Sequence, residues 1–317
     1  MNRTMATLLG ALGSVIVAGG ARAQMGDPSK VTLKTTAVAD GISVIAGANG
    51  FAGGNVGVSV GADGVFIIDD QLTPMTPKLK AALAALSKKP VRFVVNTHWH
   101  TDHTGGNVGM AGDGAVILAQ DNTRKRLSVD QVREFMGKKL SMPALPPAAL
   151  PVITFAEDVT LHLNGDDIHV VHMPPAHTDG DAIVHFTKAN VIHTGDVVVD
   201  TYPVIDAEAG GQIDGLLAAA DKILALTNDQ TKIIPGHGPV MTRADVAAFR
   251  DMTKTVRDRT YKLADQKKSV EEIKAAKPLA DLDARWGQGL LKADNVIEMV
   301  LKARPSASAP AVKHKPQ

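Results

Sequence analysis

The sequence contains no cysteine among its 317 residues. That absence excludes disulfide bonds, thiolate zinc sites and cysteine nucleophiles. Aromatic residues are also few, at 3% of the chain, and the formal net charge is only +1. A nearly neutral chain lacks the basic surface that binds nucleic acid, so we expect no nucleic-acid partner.

Long hydrophobic runs are missing except at the N terminus. Arg3 precedes an apolar run from about Met5 to Gly19, and Ala21-Arg22-Ala23 follows it. This order of a positive residue, an apolar run and a small-x-small site is typical of a secretory signal peptide. A membrane anchor is the alternative, but the run is short and rich in glycine for a bilayer span. The pattern therefore predicts a signal peptide at residues 1–23, a mature chain that starts at Gln24, and a periplasmic protein without membrane attachment.

Strand-like and helix-like patterns follow one another along the rest of the chain. Residues 56–69 and 159–173 are typical of hairpins, with Asp-Gly and Asn-Gly turns. Residues 121–140 and about 213–226 have helical patterns, and the proline-rich residues 143–151 indicate a loop. Strands precede helices in two successive halves, which predicts an α/β fold with a sheet sandwich and helices outside.

The chain is long enough for one large α/β domain with additions. We assign residues 24–241 to that domain. Residues 242–304 have a charged, helical pattern and are expected to pack on it; whether they cap a site or mediate dimerisation is left open, as is the oligomeric state. The Pro-, Ala-, Ser- and Lys-rich residues 305–317 are typical of a disordered tail.

A dense group of metal-ligating residue types follows the buried-type strand of residues 91–96. His98, His100, Asp102 and His103 fall within six residues, in a segment that glycines make loop-like. In extended backbone, alternate side chains point the same way, so His98 and His100 can bind one ion together. Asp102 and His103 lie past the bend and can turn toward a second ion. A solvated polar loop is the alternative, but this grouping of nitrogen and oxygen donors favours Zn²⁺, and Fe or Mn less exclusively.

Three further donors each follow a strand-like run. His177 lies in PPAHTDGD, Asp196 in HTGD and His237 in PGHG, among glycine or proline residues that end the strand. Taken singly, each histidine could be a hydrogen-bonded loop residue, and Asp196 could cap a helix. Together, in this order after the first group, they indicate side chains that face one cleft.

This series of motifs resembles that of the metallo-β-lactamase superfamily over about residues 40–240. The resemblance implies a four-layer αββα sandwich with metals at the sheet edge, to which the C-terminal helical segment is added. It also implies a centre of two divalent metal ions, with zinc preferred. The implied ligands are His98, His100 and His177 for the first metal, Asp102, His103 and His237 for the second, and Asp196 for both.

The resemblance is incomplete at Asp196. The stretch AHTDGDAIVHF looks like the corresponding region of true zinc β-lactamases. Those enzymes often have cysteine near the position of Asp196, whereas hydroxyacylglutathione hydrolases and lactonases of the superfamily have aspartate. The resemblance therefore leaves β-lactams, lactones and thioesters open as substrates.

The expected chemistry is hydrolysis of a small molecule at a carbonyl group. Two cations would lower the pKa of a shared water toward neutrality and polarise an amide, ester or thioester carbonyl. Asp102 would orient that water and take its proton, so no covalent intermediate is expected. The alternatives of another class are a diiron redox protein and a non-enzymatic metal-binding module.

Three other residues near the motifs carry narrower expectations. His193 either orients a metal ligand from outside the metal's own shell or simply packs. Trp99 is expected to pack behind the loop that holds the first ligands. Tyr202 either lines the pocket or packs.

Overall fold

The computed structural model describes residues 27–305 of the chain. The predicted signal peptide lies outside the described residues, as do residues 306–317 of the predicted tail. The described part contains strands β1 (Thr32–Ala39), β2 (Ile42–Ala48), β3 (Val56–Gly61), β4 (Gly64–Ile68), β5 (Val91–Asn96), β6 (Val116–Gln120), β7 (Gln131–Phe135), β8 (Lys138–Met142), β9 (Ile153–Phe155), β10 (Asp158–Leu163), β11 (Asp166–His172), β12 (Ala182–Phe186), β13 (Val191–Gly195) and β14 (Lys232–Pro235).

These strands form two large sheets and one separate hairpin. The seven-stranded sheet has the order β1-β2-β3-β4-β5-β6-β9, and the five-stranded sheet has the order β10-β11-β12-β13-β14. Neighbours among β4, β5, β6 and β9 are parallel, as are β13 and β14. Because neighbouring parallel strands end on the same side of their sheet, the loops after β13 and β14 lie together, and the loop after β5 of the other sheet meets them at one end of the sandwich.

Helices cover the outer faces of both sheets. The helices of the described residues are α1 (Thr76–Leu86), α2 (Thr101–Thr104), α3 (Asn107–Gly112), α4 (Asp121–Leu127), α5 (Ile213–Leu226), α6 (Arg243–Asp265), α7 (Val270–Ala275), α8 (Asp283–Trp286) and α9 (Ala293–Lys302). Short 3-10 turns occur at Thr73–Met75, Pro147–Ala149 and Ala207–Ala209.

Three apolar clusters separate four layers. Between the sheets, the rings of Phe66 and Phe186 meet edge to face at 6.0 Å. Leu79 of α1 is buried in the cluster on the outer face of the seven-stranded sheet. Ile223 of α5 and Phe249 of α6 are buried in the cluster on the outer face of the five-stranded sheet. The molecule is therefore an αββα sandwich with a C-terminal helical extension.

The segment after α4 differs from the sequence-based expectation. The helix predicted for residues 121–140 is wrong beyond Leu127, where α4 ends. Strands β7 and β8 pair antiparallel around Met136 and Gly137, whose φ angles are 50° and 71°. Positive φ at both central turn residues matches the twist of a tight hairpin. Along β7, the exposed Val132 and Glu134 alternate with the half-buried Gln131, Arg133 and Phe135, which is the period of a strand and not of a helix.

The C-terminal extension packs on the five-stranded side of the molecule. Helix α6 begins at a capping box, in which Thr242 and Asp245 satisfy each other's backbone N–H groups. Tyr202, in the loop after β13, is buried and donates its hydroxyl hydrogen bond to the Asp283 carboxylate at 3.1 Å. Tyr202 therefore packs beneath the extension. No helix between residues 27 and 305 combines the length and apolar character needed to span a membrane.

Candidate metal centre

The predicted ligands converge from four separate loops. His98, His100, Asp102 and His103 lie between the end of β5 and the end of α2. His177 lies between β11 and β12, Asp196 directly follows β13, and His237 lies just after β14. Three overlapping groups of candidate ligand atoms result, each with all its atoms within 4.8 Å of one another. The structure thus brings all the predicted ligands together at the sheet edge.

Three imidazole nitrogens meet in what we call the first cluster, formed by His98, His100 and His177. His100 Nδ1 lies 3.1 Å from His98 Nε2 and 2.9 Å from His177 Nε2. All three side chains are buried. Nitrogen ligands of a tetrahedral zinc ion lie about 3.3 Å apart, given zinc–nitrogen bonds of about 2.0–2.1 Å. The spacing in the first cluster is close to that value.

Asp102, His103 and His237 form the second cluster. His237 Nε2 lies 3.2 Å from both His103 Nε2 and Asp102 Oδ2, and the distance from Asp102 Oδ2 to His103 Nε2 is 3.6 Å. His103 is buried, whereas the side chains of Asp102 and His237 are 20% and 32% exposed. The His237 ring stacks on Phe51 with ring centroids 5.7 Å apart. Solvent therefore reaches the centre from the side of the second cluster.

Asp196 lies between the two clusters and faces both. Its Oδ1 is 3.3 Å from His103 Nε2, and its Oδ2 is 3.6 Å from His177 Nε2 and 3.5 Å from His237 Nε2. Asp196 Oδ1 is buried and has no hydrogen-bond partner among the described residues. A buried carboxylate oxygen without a partner is costly, so the position calls for a cation.

On one side of the centre, a buried carboxylate orients two of the imidazoles. His103 Nδ1 donates to Asp69 Oδ2 at 2.7 Å. Thr97 Oγ1 donates to the same oxygen at 2.8 Å and lies 3.0 Å from His98 Nδ1, from which it can accept. With these nitrogens acting as donors, the Nε2 atoms of His98 and His103 are left as acceptors that face the centre.

On the other side, the loop after Tyr202 orients the remaining two histidines of the first cluster. His100 Nε2 donates to Asp206 Oδ2 at 2.8 Å, and His177 Nδ1 donates to the Val204 carbonyl at 2.9 Å. Asp206 N also donates to the His177 carbonyl at 3.0 Å. Each bond leaves the opposite ring nitrogen free for a metal.

Two glycines allow the ligand side chains to approach the backbone closely. A Cβ atom at Gly54 would lie 2.3 Å from His103 Cε1, and one at Gly236 would lie 1.9 Å from Asp196 Oδ1. Asn55 holds the loop of His237 in place, because its side-chain amide donates to the Pro235 carbonyl at 2.8 Å. Larger residues at either glycine would displace a ligand.

The centre concentrates negative charge. Burial by itself would raise the pKa of the Asp102 and Asp196 carboxyls, but His103 and His237 hold both pKa values below their usual range. Burial lowers the pKa of His237, but the carboxylates of Asp196 and Asp102 raise it, and together these effects raise the pKa to about 9. Protonated imidazoles and divalent cations are two ways to neutralise these carboxylates. The charge, the buried donors and the partnerless oxygen of Asp196 therefore fit bound metal.

The remaining sequence expectations have mixed outcomes. His193 accepts a hydrogen bond from Gly195 N at 3.2 Å and lies 3.1 Å from the Asn55 carbonyl, so it contacts backbone beside the centre and not a ligand side chain. Trp99 is buried behind the loop, with its ring centroid 5.0 Å from that of His100. Packing behind the loop, as predicted for Trp99, is confirmed.

Sequence reasoning missed the residues that orient the ligands. Asp69 follows the buried strand β4, and a carboxylate at a strand end is the signal that identified Asp196. Asp206 gave no such signal, because it lies in a loop 106 residues from its partner His100. Its role depends on tertiary contact alone.

The chain is similar to several proteins of known name. The family model of the metallo-beta-lactamase superfamily matches residues 49–237, which is more than half of the chain. The α subunit of a 2,4-dinitroanisole O-demethylase from Nocardioides sp. (strain JS1661) is 24% identical over 190 residues, which are 59% of this chain and 53% of that protein. This chain therefore matches about half of the length of that relative.

Solved structures share the fold at low sequence identity. A metallo-beta-lactamase from Pontibacter korlensis superposes with a TM-score of 0.57 at 17% identity, over 70% of this chain and 99% of that one. The stereoselective inverting sec-alkylsulfatase Pisa1 from Pseudomonas sp. superposes with a TM-score of 0.59 at 16% identity, over 85% of this chain and 50% of that one. The shared αββα fold, the converging histidines and the family match lead to one conclusion: the chain belongs to the metallo-beta-lactamase superfamily.

Proposed function

We propose that this protein is a metal-dependent hydrolase whose dinuclear centre, with zinc as the preferred metal, activates water for attack on the carbonyl of an amide, ester or thioester. The observation that carries the proposal is the pair of donor clusters with the Asp196 carboxylate between them, facing both. The first cluster would hold one ion and the second cluster the other, and the Asp196 carboxylate would serve as a ligand for both.

The chain's own residues orient the reactants. When bound, the two cations would polarise the carbonyl and lower the pKa of a water molecule. Asp102 is the more exposed of the two carboxylates, at 20% against 10% for Asp196, so it can reach a water on the open side. Asp102 would hold that water and accept its proton. Phe51, stacked on His237, would offer an apolar surface to the substrate next to the reacting group.

The substrate class follows from this chemistry only in part. We favour a β-lactamase-like reaction, with lactones and thioesters as alternatives. The names of two similar proteins suggest two further substrates to test, a secondary alkyl sulfate ester and 2,4-dinitroanisole, which is a methyl ether. A panel of five compounds, one for each bond type, covers these classes.

The test is turnover of this panel by zinc-loaded protein and by its Asp102→Asn variant. We expect a carbonyl substrate to be hydrolysed, and the variant to be about 100-fold slower, as for loss of one general base. Because Asp102 also belongs to the second cluster, turnover is measured at saturating zinc, and the zinc content of the same sample is determined. Turnover of only the sulfate or the ether would contradict the carbonyl assignment. A coloured iron protein without hydrolytic activity would favour the diiron redox alternative, and a metal-loaded protein inactive on every compound would favour a binding module.

We also propose that the protein acts in the periplasm after cleavage behind Ala23. The support is the Ala21-Arg22-Ala23 site behind an apolar run. N-terminal sequencing of the exported protein should find Gln24 first, and an intact Met1 would refute the proposal.

A further inference from the structure

Behind the first cluster, Asp206 contacts His100 and also forms a buried ion pair with Arg133. Arg133 of β7 places its Nε 3.5 Å from Asp206 Oδ2, the oxygen that accepts the hydrogen bond of His100 Nε2 at 2.8 Å. The side chains of Arg133 and Asp206 are 12% and 2% exposed. Charges this deeply buried are poorly screened, so the pair restrains the Asp206 carboxylate more than a surface pair would.

The hairpin that carries Arg133 packs against the loop of the metal ligands. Met142 of β8 is buried in one cluster with Trp99, whose ring contacts that of His100. On β7, the Arg133 guanidinium lies over the Phe135 ring at 4.7 Å, and Phe135 packs on the apolar cluster that contains the C-terminal helices. The hairpin thus joins the metal loop to the C-terminal extension.

Helix α9 ties this hairpin to the turn of Asp206. Lys302 Nζ lies 3.1 Å from Glu134 Oε2 and 2.6 Å from Glu208 Oε1. Glu134 N also donates to Glu208 Oε2 at 3.1 Å. A cavity of about 30 Å³ lies among these groups and Arg133. Lys302 lies outside residues 49–237, which match the family.

We propose that Arg133 is a positioning residue for His100, and that α9, through Lys302, keeps Arg133 in place. The C-terminal extension would then set how tightly the first cluster holds its metal. This inference rests on the proposed function only in requiring that His100 binds a metal ion. It assigns a role to residues that make no contact with the metal or the substrate.

The test is zinc affinity, measured by competition with a chromophoric chelator on the full chain. His98→Ala identifies which binding step belongs to the first cluster. Arg133→Met should lower the zinc affinity of the first cluster by about 10- to 100-fold, the range found when a residue that orients a ligand is lost. The zinc affinity of the second cluster should change less. Arg133→Lys keeps the charge without the guanidinium fork and should recover part of the loss. Arg257→Met is the matched control, because Arg257 pairs with Asp214 and Asp258, neither of which is a candidate metal ligand.

Lys302→Met tests the contribution of α9. This variant should also lower the zinc affinity of the first cluster. The loss should be smaller than that in Arg133→Met, because Lys302 and its two glutamate partners are largely exposed. Lys254→Met, which removes an exposed pair with Asp258 on α6, should leave both steps unchanged.

Thermal unfolding of the metal-free variants separates positioning from general destabilisation. A weaker first step with an unchanged melting temperature supports the inference. An Arg133→Met protein with wild-type affinity at the first step would overturn it, as would equal losses at both steps together with a lower melting temperature. A wild-type chain that binds no zinc would instead refute the proposed function.

Discussion

At the residue scale, the candidate metal centre depends on the side chains that orient the predicted ligands as well as on those ligands. Asp69 accepts hydrogen bonds from Thr97 N, Thr97 Oγ1 and His103 Nδ1, at 2.7, 2.8 and 2.7 Å. It is fully buried and has a left-handed φ of 62°, a conformation that costs a non-glycine residue energy. Such strain persists where the surrounding contacts require it, and here they fix the orientation of His103.

Replacing Asp69 with asparagine should therefore weaken zinc binding at the second cluster. An amide cannot accept all three hydrogen bonds, so His103 loses its anchor. We expect zinc affinity at the second cluster to fall by about 10- to 100-fold and the free energy of unfolding to fall by roughly 1–3 kcal/mol. Chelator competition and chemical denaturation measure the two effects. Asp40→Asn, at an exposed position, is the control, and unchanged zinc affinity in the Asp69 variant would contradict this role.

Asp196→Asn tests the bridge between the clusters. The substitution keeps the size of the side chain and removes the charge that faces His103, His177 and His237. We expect preferential loss of the second ion and turnover lower by about two orders of magnitude, the scale of losing one preorganised electrostatic group. Metal content and turnover are measured on the same folded sample. Two full equivalents with wild-type turnover would show that Asp196 is only a turn residue.

At the scale of elements, the sequence predicts strands and their ends better than it predicts contacts between loops. The helix expected at about residues 213–226 matches α5, because its apolar residues recur with helical spacing over a long segment. The hairpin of β7 and β8 was missed, because its alternating pattern is short and dense in charge, and its turn at Met136 and Gly137 lacks the usual Asn-Gly or Asp-Gly signal.

The ligand set shows the same limit. His98, His100 and Asp102 are close in sequence and carry their own signal. Asp206 and Arg133 are recognisable only after the chain has folded, because neither stands in a motif and each meets its partner across loops. Sequence thus indicates candidate metal ligands, and the fold reveals what orients them.

We expect the capping box of α6 to contribute to the stability of the fold and not to metal binding. Thr242→Ala removes the side chain that accepts from Asp245 N. We expect the free energy of unfolding to fall by about 1 kcal/mol, the usual effect of losing an N-cap. Denaturant titration measures the loss, with elemental analysis beside it. Reduced zinc content in folded protein would mean that α6 affects the centre directly.

At the scale of the whole molecule, the centre joins the two halves of the sandwich. The group from His98 to His103 follows a strand of the seven-stranded sheet, whereas Asp196 and His237 follow strands of the five-stranded sheet. Metal bound by all of them would cross-link the two sheets and would bind only the folded chain. Metal binding should therefore stabilise the entire domain.

Removal of metal should lower the thermal stability of the protein. A ligand that binds only the folded state stabilises it by about 2.7 kcal/mol when its free concentration is 100 times its Kd. The melting temperature should therefore rise with free zinc and fall when a chelator is added. Calorimetry across a zinc series measures this shift, and a melting temperature independent of zinc would contradict binding between the sheets.

The most direct measurement is anomalous X-ray diffraction from crystals of the zinc-loaded protein, recorded at the zinc absorption edge. We expect two anomalous peaks per chain. One should lie at bonding distance, about 2.0–2.1 Å, from His98 Nε2, His100 Nδ1 and His177 Nε2. The other should lie at bonding distance from Asp102, His103 and His237, with Asp196 contacting both. A single peak, or peaks away from these residues in crystals of active protein, would contradict the dinuclear centre.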